Sequence, residues 1–419
     1  MSGATKSARK TPGDDRPKGP LGGIDVVELS TMITAPSTGV MLADMGADVI
    51  KVENPAGGDP FRSFGPSRDD SAHFLCYNRN KRSVALDLRS EPGQQALTAL
   101  LARADVLLEN YRPGVLDRLG FTAERLAVIN PRLIHCSITG FGPDGPYVGR
   151  PAYDAVAQAV TGMSSLLVDP AAPRITGPTV SDHAAGVYAC YGIMSALFDR
   201  ERNGRVRRVE VNMLDATLAF MPDPFGYHAQ LGLVSDPWMR ARNSQSYAFT
   251  CSDGLLLCAH LSSQQQFWDG FVEALGLHDL AMDPRVATRM LRIDNYDLIS
   301  RVAGEIIRQR PRPHWMEKLE ALDVPFAPIL DVTEVPADPQ VRHLGSFTML
   351  EHAERGSVRA IMRPVWLDGS REDQPRRPPP VLGEHTAEVL AELGLAPKPA
   401  APKQKPATKP ATKSRRHKS

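Results

Sequence analysis

Short apolar strand candidates alternate with helix-patterned segments through the first third of this chain, and this alternation restricts the fold more than any other feature. The strand candidates are Ile24–Leu29, Asp48–Val52, Ser83–Leu88, Val106–Glu109 and Leu133–Ile138, and the helix candidates between them are Pro36–Met45, Gln94–Arg103 and Ala123–Ile129. Parallel strands need long crossover connections, which are usually helices. The pattern therefore predicts an α/β fold with a parallel sheet that is covered on both faces.

The later part of the chain predicts a second, smaller unit and a return to the first. Helical patterns are expected over Asp154–Leu167 and His183–Arg202, and Pro222 and Pro224 then interrupt the regular pattern. Strands at Tyr247–Cys251 and Leu255–Ala259 flank a Ser-Asp-Gly turn, and helices are expected over Gln265–Leu275 and Ile293–Gln309. A strand over Val358–Trp366 and a helix over His385–Leu393 follow. The predicted domains are a large α/β domain at 21–224, a small α+β domain at 225–330 and a return segment at 331–395 that completes the large domain.

Composition restricts the cellular setting and the two ends. Of the 419 residues, 42% are hydrophobic and 23% are charged, which is ordinary for a globular protein, and no apolar run approaches the roughly 20 residues that span a bilayer. The five cysteines are widely spaced and predict buried free thiols in a reducing cytoplasm, with no metal-binding spacing. Residues 1–20 and 396–419 are predicted to be disordered tails. The second tail is basic and rich in Pro, Ala and Lys, but nucleic acid is not the partner that we expect for the protein.

Asp182 stands at the head of an apolar, helix-patterned run and has two readings. Asp is a favoured N-cap residue, and on spacing alone the capping role is the commoner one. A carboxylate there is also a candidate nucleophile for acyl transfer, since the helix N-terminus favours its ionised form. The usual Gly-rich dinucleotide fingerprint is absent from the first strand-to-helix turn, Ser30–Ser37, so a nicotinamide or flavin cofactor is not expected.

Six segments, in order and at similar spacing, resemble the class III CoA-transferase family, the CaiB/BaiF group that includes formyl-CoA transferase and α-methylacyl-CoA racemase. The segments are Gly23–Arg62, Asn80–Leu88, Ala104–Gly120, Asn130–Tyr147, the stretch around Asp182, and Pro378–Gly394. The resemblance covers roughly residues 20 to 395. It implies a Rossmann-like large domain, a small domain and an interlocked homodimer. It also implies that coenzyme A and acyl-CoA are substrates, with no permanently bound cofactor.

The resemblance implies roles for individual residues of this chain. Asp182 matches the family's nucleophile, which forms an aspartyl anhydride with the acyl group and then an aspartyl-CoA thioester. The residues expected to bind CoA are Leu86, Arg89, Asn110, Tyr111, Arg112, Arg118 and Tyr153. Arginine forks and free amides suit the phosphates of CoA. The residues expected to line the substrate pocket are Tyr153, Asp154, Ile33 and Thr34.

Tyr153 favours a transferase over the alternative, a racemase or epimerase of α-methylacyl-CoA. The racemase branch has a His at this position, and an imidazole is the group best suited to moving an α-proton near neutral pH. A CoA-binding protein without turnover is a third alternative, although the intact Asp182 argues against it. The chain also lacks the glycine tract of formyl-CoA transferase, reading RARNSQSYAF at Arg240–Phe249, and it has Ile33 and Asn54 where that enzyme has Gln and Arg. Oxalate and formyl-CoA are therefore not the expected substrates, and the acyl pocket is expected to be more apolar.

Overall fold

The computed structural model describes residues 19–65, 71–262 and 264–395. Within these ranges, six parallel strands form one sheet in the order β3-β2-β1-β4-β5-β6, which confirms the predicted α/β fold. Its strands are β1 (Asp25–Leu29), β2 (Asp48–Glu53), β3 (Lys81–Ala85), β4 (Val106–Glu109), β5 (Ile134–Thr139) and β6 (Val209–Asn212). Residues 1–18 of the predicted first tail, and all of the predicted tail at 396–419, lie outside the described residues.

Helices cover both faces of this sheet. One core contains residues of β1, β4 and β5 together with helices α1 and α7, and the opposite core contains α3, α5 and the last helix. The helices up to β6 are α1 (Thr34–Asp44), α2 (Ala72–Tyr77), α3 (Glu91–Leu101), α4 (Val115–Arg118), α5 (Ala123–Ile129), α6 (Asp154–Val160) and α7 (Val180–Asn203). Helix α6 ends seven residues before the predicted end, because Gly162 adopts a positive φ of 82° and a separate 3₁₀ turn follows it.

The smaller unit has an antiparallel sheet of three strands within the described residues, in the order β7-β8-β9, packed on its own apolar core. The strands are β7 (Ser246–Thr250), β8 (Leu256–His260) and β9 (Phe326–Ile329). The helices before and within this unit are α8 (Met213–Phe220), α9 (Asp223–Leu231), α10 (Met239–Asn243), α11 (Gln265–Leu275), α12 (His278–Ala281), α13 (Arg289–Asp294), α14 (Tyr296–Ile307) and α15 (Arg312–Ala321). The single helix predicted over Ile293–Gln309 is wrong, since Asn295 separates α13 from α14.

The return segment docks on the edge of the large sheet. It contains α16 (Pro339–His343), the antiparallel pair β10 (Phe347–His352) and β11 (Gly356–Ile361), and α17 (Thr386–Glu392). The strand predicted to reach Trp366 ends at Ile361. Arg363 Nη1 donates to the carbonyl of Asp44 at 3.0 Å, and the amide of His385 donates to the carbonyl of Ser83 at 2.9 Å. The first bond holds the segment against the end of α1, and the second, with the bond from the amide of Ala85 to Thr386 Oγ1 at 3.0 Å, covers the edge strand β3, which would otherwise expose unpaired backbone groups.

The structure also bears on two predictions from composition, the state of the cysteines and the lack of a membrane-spanning segment. All five cysteines are free, but only Cys136 and Cys251 are buried as predicted; Cys190 and Cys258 are partly exposed and Cys76 is exposed. In the described part of the chain, no helix is long and apolar enough to cross a membrane.

Candidate active site

Asp182 lies in the first turn of α7 and is not its N-cap. The N-cap is Thr179, whose side chain makes no capping hydrogen bond. The capping oxygen comes from Asp154 at the start of α6: its Oδ1 accepts from the amides of Ser181 at 2.8 Å and Asp182 at 3.2 Å. The capping interpretation of Asp182 is therefore wrong, and its carboxylate is free for another role.

Asp154 is fixed in this position by a neighbour on its own helix. Gln158 Nε2 donates to Asp154 Oδ2 at 2.5 Å and to the carbonyl of Pro178 at 3.2 Å. Residues four apart on a helix face each other, so this contact is readable from the sequence, although sequence analysis did not single out Gln158. The predicted substrate-pocket residue Asp154 thus acts as a cap for α7. Because it occupies the amides of Ser181 and Asp182, those two amides are not free to stabilise an oxyanion.

The electrostatic environment of Asp182 differs from the sequence expectation. Burial, together with the smaller effect of the negative charge of Asp154, raises the pKa of Asp182 to about 7. The helix N-terminus was expected to keep the carboxylate ionised, but desolvation and a like charge outweigh that effect. A carboxyl group with a pKa near 7 exchanges protons easily at neutral pH and, once ionised, is a poorly solvated nucleophile.

Tyr77 and His183 complete the immediate surroundings of Asp182. The His183 ring lies 5.7 Å from the Tyr77 ring between centroids, and His183 Nδ1 lies 2.6 Å from the carbonyl oxygen of Thr179. Burial raises the pKa of the Tyr77 hydroxyl, and the nearby Asp182 contributes to the same shift. Sequence analysis missed Tyr77 because its contact with α7 is long-range and has no local signal.

Asn110 joins two loops at the point where the strand order reverses. Its Oδ1 accepts from the amide of Thr31 at 3.0 Å, and its Nδ2 donates to the carbonyl of Thr31 at 2.8 Å and to Thr34 Oγ1 at 2.9 Å. Open α/β sheets bind ligands at such a switch point, here between the carboxyl ends of β1 and β4. The side chain of Asn110 therefore holds the loop after β1.

Ile33 and Thr34 are both buried on this loop. Ile33 packs in a small apolar cluster with Phe61 and Phe74, and Tyr77 lies against the same cluster. Thr34 begins α1, the helix that packs on α7. The structure thus places the predicted pocket residue Ile33 in a buried apolar cluster next to Tyr77, the residue that neighbours Asp182.

The other predicted CoA residues are more widely distributed. Strand β3 ends at Ala85, so Leu86 directly follows the strand. The Leu86 side chain is 7% exposed and packs into the core, so only its edge or its backbone is available to a ligand. Arg89, Arg112 and Arg118 are exposed. Tyr153 is 63% exposed at the N-cap of α6, directly before Asp154.

A cavity of about 420 Å³ opens beside the loop after β4. Tyr111 and Arg112 line it, together with Glu109 and His135, whose Nε2 lies 3.3 Å from Glu109 Oε1. Asp182 does not line this cavity. The structure therefore places Tyr111 and Arg112 at this cavity, whereas Ile33, Thr34, Asp154 and Asp182 are not among the residues that line it. Among the residues that the structure describes, no cluster of three or more His, Cys, Asp or Glu side chains could hold a metal ion.

The raised pKa of Asp182 predicts a specific pH dependence. If the ionised carboxylate is the reactive form, kcat/KM should fall as pH drops through about 7. Asp154→Asn keeps an oxygen for the two amides but removes the like charge, so we expect the midpoint of the pH–rate profile to move to lower pH. The measurement is kcat/KM between pH 5 and 9 for both proteins.

Asp154→Ala is the matched comparison for this prediction. It removes the charge and also the cap, so it should shift the profile in the same direction and in addition destabilise the fold by about 1 kcal/mol. A profile of Asp154→Asn with the wild-type midpoint would show that Asp154 does not influence the titration of Asp182.

Three comparisons with known proteins indicate the same protein family. A sequence model described as CoA-transferase family III matches residues 21–386. The chain is 34% identical over 387 residues to the acetyl-CoA:oxalate CoA-transferase of Acetobacter aceti, covering 90% of this chain and 97% of that protein. It is 35% identical over 399 residues to the succinate–glutarate CoA-transferase of Agrobacterium fabrum, covering 92% and 98%. The crystal structure of a CAIB/BAIF family protein from Brucella suis matches with a TM-score of 0.80 at 33% identity, covering 90% of this chain and 99% of that chain.

Proposed function

Because this chain belongs to CoA-transferase family III and is a CoA-transferase, we propose that it moves coenzyme A from an acyl-CoA to a free carboxylic acid through covalent intermediates on Asp182. The observation that carries the proposal is the half-buried carboxyl of Asp182, whose pKa of about 7 sets it apart from an ordinary surface carboxylate. It lies one helical turn from Gly186, where α7 contacts the first turn of α1.

The proposed chemistry balances without a further reactant. The Asp182 carboxylate attacks the thioester carbonyl and the carbon–sulfur bond breaks. The CoA thiolate departs as the leaving group, and an aspartyl acyl anhydride is formed. The thiolate then attacks the aspartyl carbonyl, which releases the donor acid and forms an aspartyl-CoA thioester. The acceptor carboxylate repeats both steps in the opposite direction, and Asp182 is regenerated as the new acyl-CoA forms. Holding the thiolate close during the exchange gives each attack the advantage of an intramolecular reaction.

The proposed acceptor is a carboxylic acid with some apolar carbon chain. The named relatives act on oxalate and on the longer dicarboxylates succinate and glutarate. In this chain Ile33 is buried with Phe61 and Phe74, and the partly buried Met32 and Tyr77 pack against that cluster. The side chains that a substrate can meet at this place are therefore largely apolar, which suits methylene groups better than the two adjacent carboxylates of oxalate. We therefore place succinate and glutarate ahead of oxalate as acceptors.

The decisive experiment follows all CoA products by mass spectrometry in D₂O. Purified protein is incubated with acetyl-CoA, succinyl-CoA or a 2-methylacyl-CoA, with and without oxalate, succinate or glutarate. A new acyl-CoA that depends on the added acid supports transfer and identifies the substrates. Deuterium at the α-carbon without a new ester would instead support the racemase alternative, which Tyr153 disfavours. Intact-protein mass spectrometry with donor alone should show a covalent CoA adduct on the enzyme.

The proposed CoA site predicts a loss of affinity when a phosphate partner is removed. Arg118 is exposed at the end of α4, close to Gly114 in the turn after β4. An arginine–phosphate contact is charge-assisted, so Arg118→Ala should weaken CoA binding about tenfold. Isothermal titration calorimetry with free CoA measures this. The matched control is Arg301→Ala, which removes an exposed arginine of the small unit that pairs with Glu305; equal affinity for both variants would contradict the assignment.

We also propose a homodimer. Val187, Tyr191, Met194 and Phe198 form one exposed stripe along α7, with exposures of 53%, 70%, 38% and 64%. Helix α9 has no buried residue. An exposed apolar surface of this extent marks an interaction site, and a second copy of the chain is the proposed partner. Light scattering tests this: the mass of two chains is expected, and the mass of one chain would reject the dimer.

A further inference from the structure

Six charged side chains are buried together beneath the loop after β1. They are three acids, Glu28, Glu53 and Asp59, and three bases, Lys51, Arg62 and Lys81, and none is more than 4% exposed. Buried charges are costly unless they are paired, and here each finds an opposite partner. Lys51 Nζ lies 3.0 Å from both Glu28 Oε1 and Asp59 Oδ2, and Lys81 Nζ lies 2.9 Å from Glu28 Oε2. The charges therefore balance within one connected network.

Three members of this network also bind the backbone of segment 30–36, which comprises the loop after β1 and the first residues of α1. Lys51 Nζ donates to the carbonyl of Ser30 at 2.9 Å, and Lys81 Nζ donates to the carbonyl of Pro36 at 2.8 Å. Asp59 Oδ1 accepts from the amide of Met32 at 3.1 Å. The buried network thus makes three hydrogen bonds to segment 30–36, and Asn110 makes three more.

The loop needs such support because its backbone is strained. Met32 has a φ of 68°, a left-handed conformation that non-glycine residues rarely adopt and that costs on the order of 1 kcal/mol or more. Such a residue keeps its conformation only where the surroundings fix it. The bond from the Met32 amide to Asp59 acts directly on the strained residue.

The position of the loop is transmitted to the helix that carries Asp182. Thr38 Oγ1 donates to the carbonyl of Gly186 at 3.0 Å, and a Cβ on Gly186 would lie 3.1 Å from the carbonyl oxygen of Thr34. Gly186 follows Asp182 by one helical turn. A shift of segment 30–36 would therefore move Ile33 and Thr34 relative to the Asp182 carboxylate.

We propose that Lys51, Asp59 and Lys81 are positioning residues for the reaction, holding segment 30–36 in the conformation that sets the distance between substrate and Asp182. This inference rests on the proposed function for its catalytic part. A buried ion network is weak evidence for stability, since well-packed apolar residues often serve as well. Its directed bonds to three backbone groups of segment 30–36 supply what apolar packing does not, a fixed geometry.

The test compares three variants by hydrogen–deuterium exchange of the protein without substrate. Asp59→Ala removes the acceptor for Met32, whereas Asp59→Asn keeps an oxygen in the same place. Asp105→Ala is the matched control, because it breaks a buried ion pair with Arg200, at 2.8 Å, at the amino end of β4. We expect amides between residues 30 and 37 to exchange at least tenfold faster in Asp59→Ala only, with partial or full rescue in Asp59→Asn. Unchanged exchange in Asp59→Ala, or equal acceleration in Asp105→Ala, would overturn the proposal.

Kinetics then separate positioning from general stability. In Asp59→Ala, kcat for acyl transfer should fall about tenfold while the dissociation constant of free CoA stays within about twofold, since small misplacements of reacting groups cost rate more than affinity. If no variant or wild-type protein transfers CoA, the proposed function fails, but the exchange result still decides whether the network holds the loop.

A charge-balanced double variant covers the case in which Asp59→Ala does not fold. Glu28→Gln with Lys81→Met removes one acid and one base together and leaves the Lys51–Asp59 pair intact. It also removes the bond to the carbonyl of Pro36, so exchange in segment 30–37 should again increase. Wild-type exchange in a folded double variant would contradict a positioning role for Lys81.

Discussion

Asp182→Asn is expected to lower kcat by about four orders of magnitude or more, because an amide cannot form the anhydride and loss of a covalent nucleophile has effects of this size. The shape of the side chain is kept, so calorimetry should show CoA affinity within about twofold of wild type. Intact-protein mass spectrometry should no longer detect the CoA adduct. Normal turnover by this variant would reject Asp182 as the nucleophile.

The same substitution is expected to stabilise the fold at alkaline pH. The pKa of Asp182 is about 7 in the folded protein against an ordinary value of 3.8, so the folded state binds more protons between these values. The free energy of unfolding therefore falls as pH rises from about 4 to 7, and the whole cost is present above pH 7. Asn removes this cost, which is on the order of 3 kcal/mol. Melting curves should show a higher Tm for Asp182→Asn at pH 8 and no difference below about pH 4.

Asp199→Asn is the control for this stability effect. Asp199 lies near the other end of α7, where hydrogen bonds from Asn203 and Arg207 lower the pKa of its carboxyl. Its removal should not raise the Tm at pH 8. A stabilisation of equal size in both variants would mean that the change reflects helix charge in general and not the buried environment of Asp182.

Gly186→Ala is expected to lower kcat about 100-fold and to destabilise the protein by roughly 1–3 kcal/mol, the usual cost of overpacking. A Cβ at this position would lie 2.4 Å from Ser37 Oγ and 3.1 Å from the carbonyl oxygen of Thr34. Because α1 and α7 pack closely here, the added methyl group must push the helices apart one turn from Asp182. Steady-state kinetics and thermal melts measure the two effects.

Two further variants test whether the close contact between α1 and α7 causes the loss of activity in Gly186→Ala. Gly304→Ala adds the same methyl group within α14, where its Cβ would lie 3.7 Å from Phe249 Cδ1, an ordinary contact, so this variant should be neutral or stabilised by about 0.5–1 kcal/mol. Adding Ser37→Ala to Gly186→Ala removes the closest clash and should restore most of the activity. If the double variant is no better than Gly186→Ala, the helix contact is not what places Asp182.

The order of the helices and strands could be predicted from the sequence because it depends on local properties of the chain. The bounds of β4, α5 and α11 agree with the sequence prediction to the residue, since short apolar runs and amphipathic periods are local signals. The α13–α14 break at Asn295 and the early end of α6 were not predicted. Gly162 with its positive φ and Asn295 interrupt the two helices, and hydrophobic periodicity does not report such breaks.

The amino-acid sequence by itself determined the α/β class, the family and the choice of Asp182 as candidate nucleophile, because strand and helix periods and motif spacing lie along the chain. The tertiary structure alone decided what surrounds Asp182. Asp154, predicted to line a substrate pocket, also caps α7, and Asn110, predicted to bind CoA, also ties two loops together. The contacts of a side chain depend on residues that are far away in the sequence. The pKa of a carboxyl group depends on its burial and on neighbouring charges, so the contacts and the pKa of Asp182 both required the folded structure.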